Sequence, residues 1–242
     1  MEKQRFYQIV RQVILDRLKS GELRHGDKLP SERELCAETG TNRNTVRHAL
    51  TMLQREGKIY RLDRRGWYVN PVRLVYNPAH HVNFARLAAS QGREARWTTE
   101  EDGRITVEKD KDSSGLLEGF PDGTEVDVMK NIFFLDGQKV AYTKNYLHAE
   151  RLAGIIPKTR TEAMTQVLEK EYKIKLIQKD LLIRPQFHSP EVSNELDVLP
   201  GSPGMYIRRI KTDGSGVVLT VEHEYWRFDA IELRVRNMPA GI

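Results

Sequence analysis

Apolar positions near the start of the chain recur at three- and four-residue steps: Phe6, Ile9, Val10, Val13, Ile14 and Leu18. That is the period of a helix with one buried stripe. Ser20-Gly21 predicts its end, because glycine tolerates the left-handed conformation that often closes a helix. "GELRHGDKLP" reads as a loop. Ser31 and Glu34 then stand at capping-box spacing, which predicts a second helix opening at Pro30-Ser31 and closing at Gly40. A third helix is predicted from Thr41 or Asn42, both good caps, with Val46, Ala49, Leu50 and Leu53 on its core face. After Gly57 the pattern shortens to two strands, Lys58 to Leu62 and Gly66 to Asn70, around a turn of Asp63, Arg64 and Arg65.

Beyond this head the period stays short. Pro71 and Pro78 stiffen a linker over residues 71–80. Residues 125–135 alternate through Val126, Val128, Ile132 and Phe134, turn at Asp136-Gly137, and return as "QKVAYTKNYL". Residues 205–211 lead to "TDGSG" and return as "VVLTVEHEYW". Asp-Gly between β-rich runs is a strong hairpin signal. Helices are predicted over His81 to Gln91, over 160–172 with Thr159 or Thr161 as cap, and over 190–198 with Pro190 in the first turn. Strands and helices without strict βαβ alternation predict an α+β layer with an antiparallel sheet.

Charge sharpens the division. Residues 1–76 hold 16 Lys and Arg against 9 Asp and Glu, whereas the rest hold 23 against 25. A basic head on a nearly neutral body points to nucleic acid as the head's partner. On the third helix the outer face carries Arg43, Asn44, Arg47 and His48, with Thr45 near the entrance. Cations at a helix start oppose the macrodipole, so their presence there implies a large anion in front of them. Arg can pair bidentately with guanine and Asn with adenine in the major groove. Arg33 on the second helix is placed to grip phosphate, and the hairpin tip with Arg64 and Gly66 reads as the wing of a winged helix.

Other chemistry is thin. Cys36 is the single cysteine, so no internal disulfide or cysteine-based zinc cluster is possible. No apolar run approaches the roughly 18 residues that span a bilayer, and Met1 leads into charged residues rather than a secretory h-region. A cytoplasmic, nucleoid-associated location without membrane contact is expected. The chain shows no Gly-rich phosphate loop, nucleophile elbow or zinc-peptidase pattern. His80-His81 lacks a carboxylate at metal-ligand spacing, so neither metal nor cofactor is expected, and no catalytic residue is assigned.

The blocks "GDKLPSERELC", "TNRNTVRHALTMLQREGKIYR" and "RRGWYV" resemble the DNA-binding head of GntR-type bacterial transcription regulators. The resemblance places DNA contacts on Arg33, Arg43, Thr45, Arg47 and Gly66, with Asn44 where many relatives have Thr or Ser. "FFLDGQKVAYTKNYL", "LDVLPGSPGMYIRRIKTDGSG" and "HEYWRFDAIEL" resemble the HutC subfamily, whose body is a UTRA effector domain with a chorismate-lyase-like fold. The implied organisation is a winged helix-turn-helix domain over 1–70, a linker over 71–80 and an effector-binding, dimerising domain over 81–242. Within the subfamily, "NFARLAASQGRE" and "EHEYWRFDAIEL" are similar to regulators of phosphonate utilisation. Regulators of sugar-phosphate, amino-sugar or histidine catabolism are the alternatives of the same kind, and an enzyme on the lyase-like fold is the alternative of a different kind.

The resemblance implies a homodimeric repressor that binds two-fold-related half-sites on duplex DNA and responds to a small anionic metabolite, a phosphonate or phosphate ester. The family's effector pocket lies between the hairpins and a helix start, here Thr161, Ala163 and Met164. Asn131 stands where relatives often have arginine and Ala163 where many have serine. The anion is therefore expected to use other cations, among Lys144, Arg160, Arg184, Arg208 and His223. Tyr142 is a further candidate, and Glu222 and Glu224 are candidates for an ammonium group such as that of 2-aminoethylphosphonate.

Overall fold

In a computed structural model of the chain, residues 2–62, 65–78, 83–112 and 115–235 are described. They form two units that separate between Arg73 and Leu74.

The N-terminal unit opens with helices α1 (Glu2–Ser20), α2 (Glu32–Thr39) and α3 (Arg43–Arg55). Val10 and Ile14 of α1 meet Leu35 of α2 and Val46, Ala49, Leu50 and Leu53 of α3 in one core. The stripe on α1 is narrower than its apolar pattern: Tyr7 and Leu18 join the core, while Phe6 and Ile9 are 43% and 42% exposed on its shoulder. Both interhelical corners are fixed by capping. Ser31 Oγ accepts from the Glu34 amide at 3.2 Å and Glu34 Oε2 from the Ser31 amide at 2.7 Å. Gly40 takes the left-handed conformation at φ 63°, and Asn42 Oδ1 then receives the Thr45 amide at 2.9 Å. Strands β1 (Ile59–Leu62) and β2 (Gly66–Val69) pair antiparallel as the wing, and Trp67 and Val69 close the core from that side. Arg64 lies outside the described residues.

The C-terminal unit begins with β3 (Leu74–Tyr76), so the expected linker is in part a strand. It runs parallel to β10 (Ile231–Leu233). Helix α4 (Phe84–Ser90) follows, capped by Asn83 Oδ1 on the Arg86 amide at 3.1 Å. Its predicted beginning at His81, and the His80-His81 pair, lie outside the described residues. The main sheet holds β4 (Ala95–Thr106), β5 (Glu125–Leu135), β6 (Gln138–His148), β7 (Ile177–Phe187), β8 (Pro203–Thr212) and β9 (Val218–Arg227). Its order is β4-β5-β6-β9-β8-β7 with every pair antiparallel. The two predicted hairpins are thus its four central strands. The edge strands β4 and β7 escape the pattern because most of their residues are exposed or half-buried and carry no apolar alternation.

The helix predicted over 160–172 begins only at Met164, after a separate short helix that precedes the predicted span. Helix α5 (Ile155–Lys158) ends at Thr159, and α6 (Met164–Val167) passes into a π-helical turn, Leu168–Tyr172. Thr159 does not cap α6: it closes α5 as its C-cap, four residues before the α6 N-cap, and its hydroxyl donates to the Ile156 carbonyl at 2.8 Å. Ala163 is the N-cap instead and offers no side-chain bond. Helix α7 (Pro190–Leu196) matches its prediction, with Pro190 in the first turn.

Candidate functional site

Polar side chains concentrate in two places, an exposed helix face and a buried cavity floor. On the N-terminal unit, α3 exposes Arg43, Asn44, Arg47 and His48, and α2 exposes Arg33. Thr45 is different: it is buried, and its hydroxyl donates to Asn42 Oδ1 at 3.1 Å, completing the cap. His48 stands edge-on to the Tyr7 ring at 5.1 Å. Gly66 opens β2 at φ 107°, a conformation that L side chains rarely adopt. The α3 entrance has no acidic residue of its own. Glu32 at the start of α2 supplies one, accepting from Arg43 Nε at 2.9 Å and from Arg47 Nε at 2.9 and 3.1 Å. Burial alone would raise the Glu32 carboxyl, but the two guanidinium bonds outweigh it and hold the group below its ordinary value.

In the C-terminal unit, a cavity of about 150 Å³ lies under α4, between the sheet and the start of α6. Alternation along the strands decides which residues reach it. Met129, Asn131 and Phe133 of β5, and Thr143 and Asn145 of β6, face inward. So do Arg209 and Lys211 of β8, and Glu222, Glu224 and Trp226 of β9. Phe84 and Leu87 of α4, with Ala163 to Thr165, complete the enclosure.

The polar floor has two parts. One is a chain of amides and hydroxyls: Asn145 Nδ2 donates to Asn131 Oδ1 at 2.9 Å and to Thr143 Oγ1 at 3.0 Å, and Asn131 Nδ2 donates to Thr99 Oγ1 at 2.8 Å. The other is a pair of buried ion pairs. Lys211 Nζ reaches both Glu222 oxygens, at 2.8 and 2.6 Å, and Arg209 Nε reaches Glu224 Oε1 at 2.7 Å. Burial would raise the Glu222 carboxyl, yet Lys211 overrides that and the group sits below its ordinary value. Arg209 is also tied to the chain that enters this unit, donating to the Pro78 carbonyl at 2.8 Å and to the Tyr76 hydroxyl. Burial pushes the Tyr76 phenol well up, so it stays protonated.

Of the residues expected to bind effector, Ala163, Met164, Glu222 and Glu224 line this cavity. The others are elsewhere. Arg160 and Thr161 are exposed in the connection between α5 and α6. Tyr142, Lys144, Arg208 and His223 lie on the opposite face of the sheet, because they occupy the other parity of their strands. There Tyr142 meets Glu191 of α7 at 3.4 Å, and Arg208 pairs with Asp180 at 2.9 Å. Arg184 stacks on Tyr206 of that face at 4.8 Å. Lys144 is 3.9 Å from Asp102, and His223 Nδ1 is 2.7 Å from the Tyr206 hydroxyl. Arg209 and Lys211 are the cavity cations that sequence reasoning passed over. The strand gives no signal for them, because apolar residues occupy both parities of "MYIRRIKT": Met205 and Ile207 alternate with Tyr206 and Ile210. Among the described residues no group of His, Cys, Asp and Glu could hold a metal ion, and no helix is long and apolar enough to cross a membrane.

Comparison with known proteins bears on both places. Residues 6–69 match the bacterial regulatory proteins of the gntR family, and residues 95–232 match the UTRA domain. The HTH-type transcriptional regulator YihL of Escherichia coli K12 is 36% identical over 220 residues, covering 90% of this chain and 92% of that one. A transcriptional repressor of E. coli K12 named for a fructoselysine utilization operon is 24% identical over 148 residues, covering 61% and 59%. Among solved structures, PhnF from Mycobacterium smegmatis superposes with a TM-score of 0.63 at 23% identity, over 96% of this chain and all of that one, which establishes a shared fold.

Proposed function

The chain belongs to the GntR family of bacterial transcription regulators, a DNA-binding head joined to a UTRA effector domain, and on that premise we propose that it is a homodimeric repressor of a catabolic operon whose effector occupies the cavity under α4. The observation that carries this reading is the balanced charge of the cavity floor. Arg209 and Lys211 face Glu222 and Glu224, so the site is neutral as a whole while each charge in it is buried. A ligand bearing one sign of charge alone would leave part of that set uncompensated at low dielectric, which is costly. A small zwitterion can exchange with the pairs group for group, its ammonium taking a carboxylate and its anion taking a cation. 2-Aminoethylphosphonate has that chemistry and a size suited to the cavity.

A second reading has its own support. The Asn131, Thr143 and Asn145 amide and hydroxyl chain offers donors and acceptors suited to ligand hydroxyls, and one relative is named for fructoselysine utilization. An amino sugar or sugar-derived amino acid fits that part of the floor. Calorimetry on the full chain with 2-aminoethylphosphonate, an amino sugar, a sugar phosphate and fructoselysine separates the readings. The zwitterion reading requires binding by the first and none by simple phosphate esters.

Arg209 supplies the route by which occupancy reaches the DNA. It touches Glu224 in the cavity and, through Tyr76 and Pro78, the segment that follows Arg73. A ligand that draws Glu224 or Arg209 away alters the restraint on that segment, and operator affinity falls to the degree that the ligand prefers the altered state. Two copies would read half-sites about one helical turn, or a multiple of it, apart. Arg43→Ala and Arg47→Ala should each weaken operator binding by about 1–3 kcal/mol and relax specificity. Sedimentation of the free and operator-bound chain checks the dimer.

A further inference from the structure

We propose that Glu32 is the positioning residue of the DNA reader: it grips Arg43 and Arg47 together and sets their specificity without itself touching a base. Three observations converge. Glu32 is the only carboxylate that the described residues place on either arginine, and it takes both, from a different helix. Its side chain is 13% exposed, whereas those of Arg43 and Arg47 are 70% and 52% exposed. The anchor is therefore half-buried and the readers are presented to solvent.

All three bonds use the inner nitrogen Nε of the arginines. The outer pair of amino groups on each guanidinium, which can fork onto the O6 and N7 of a guanine, has no hydrogen-bond partner among the described residues. A competitor for DNA would be expected to occupy that outer fork, and this carboxylate does not. Glu32 also offsets the repulsion of two cations one turn apart on α3, at a helix entrance that disfavours them. Long side chains that are already ordered lose less entropy when they bind, and the gain accrues only where the bases match the fixed spacing of the two forks. An arginine released from Glu32 would instead reach any nearby phosphate.

The test uses the full chain and an operator selected from random duplexes by the wild-type protein. Fluorescence anisotropy measures affinity for that operator and for a scrambled duplex of equal length. Glu32→Gln should hold or increase affinity for the scrambled duplex, while the operator-to-scrambled ratio falls by about tenfold, the scale of losing one well-placed base contact. Reselection with the variant should return a degenerate consensus at the bases read by Arg43 and Arg47. Glu22→Gln removes an equal charge from the same unit without touching either arginine, and it should move both affinities together and leave the ratio alone. Glu32→Asp keeps the charge but shortens its reach, so its ratio should lie between the two, and it serves as the deciding variant if Glu32→Gln fails to fold. A Glu32→Gln ratio within twofold of wild type overturns the proposal. So does an equal fall of the ratio in Glu22→Gln, because bulk charge would then account for the effect.

Discussion

At the scale of single residues, His188 packs directly against Gly204 in the C-terminal unit. His188 is 3% exposed, and neither ring nitrogen has a hydrogen-bond partner among the described residues. A Cβ at Gly204 would fall against the His188 ring and 2.8 Å from the Trp226 carbonyl oxygen. Gly204→Ala should therefore destabilise the unit by about 1–3 kcal/mol, the range for overpacking a filled core, measurable by urea denaturation. The same burial has a pH signature. Desolvation, aided by the nearby Arg227 charge, holds the His188 imidazole at about 4 against an ordinary 6.5. The folded state thus binds the proton less readily than the unfolded one. Its stabilising contribution is complete above pH 6.5 and is lost as pH falls toward 4. Up to about 3 kcal/mol is at stake. His188→Gln should flatten the part of the stability–pH profile that lies between those values, and a profile unchanged by the substitution would mean that the ring is solvated in solution.

At the scale of elements, the β8–β9 hairpin sets two ion pairs side by side on one face. Lys211 and Glu222 are 8% and 7% exposed, so removing one partner strands the other. Glu222→Gln should cost about 3–5 kcal/mol, whereas the double replacement Lys211→Met with Glu222→Leu should cost far less, because no buried charge is then left unpaired. Chemical denaturation of the two variants beside wild type decides this. If the double variant proves as unstable as the single one, the pair is held for its shape and not for its charge. This hairpin also shows what could be read from the chain. Asp136-Gly137 and "TDGSG" announced the four central strands, and Ser31, Glu34, Gly40 and Asn42 announced the corners of the head, because caps and tight turns act through neighbours in sequence. The inward parity of the sheet was not legible. Tyr142 at 1% exposure and Glu222 at 6% are both buried, since α7 and neighbouring chain cover one face while α4 and α6 cover the other. Alternation says that two such residues differ in direction, and only the covering elements say which direction is the cavity. The same limit hid Arg209 and Lys211, and it drew attention to Lys144 and Arg208, whose charges are used on the far face.

At the scale of the whole chain, the proposed regulation requires that an event at Glu224 change the behaviour of a helix entrance at Arg43. The contact that can begin this is the one between Arg209 and the Tyr76 hydroxyl, because β3 is the first element after the head and Arg209 is also bonded to Glu224 in the cavity. Tyr76→Phe removes that hydroxyl and keeps the ring, which packs on Trp226 at 5.9 Å. Effector affinity of the DNA-free variant should then change little, while the effector's power to lower operator affinity should shrink. Couplings of this kind are typically about 1–3 kcal/mol, or 5- to 150-fold. Reciprocity gives a second, independent reading of the same quantity: saturating operator must weaken effector binding by the factor with which effector weakens operator binding. Calorimetry in the presence and absence of operator, on wild type and Tyr76→Phe, measures both sides. If the variant keeps the wild-type factor in both directions, the signal leaves the cavity by a path other than Arg209. Because reciprocity holds however many conformations the chain visits, the two factors must agree at equilibrium within each protein, and only their shared size can differ between wild type and Tyr76→Phe.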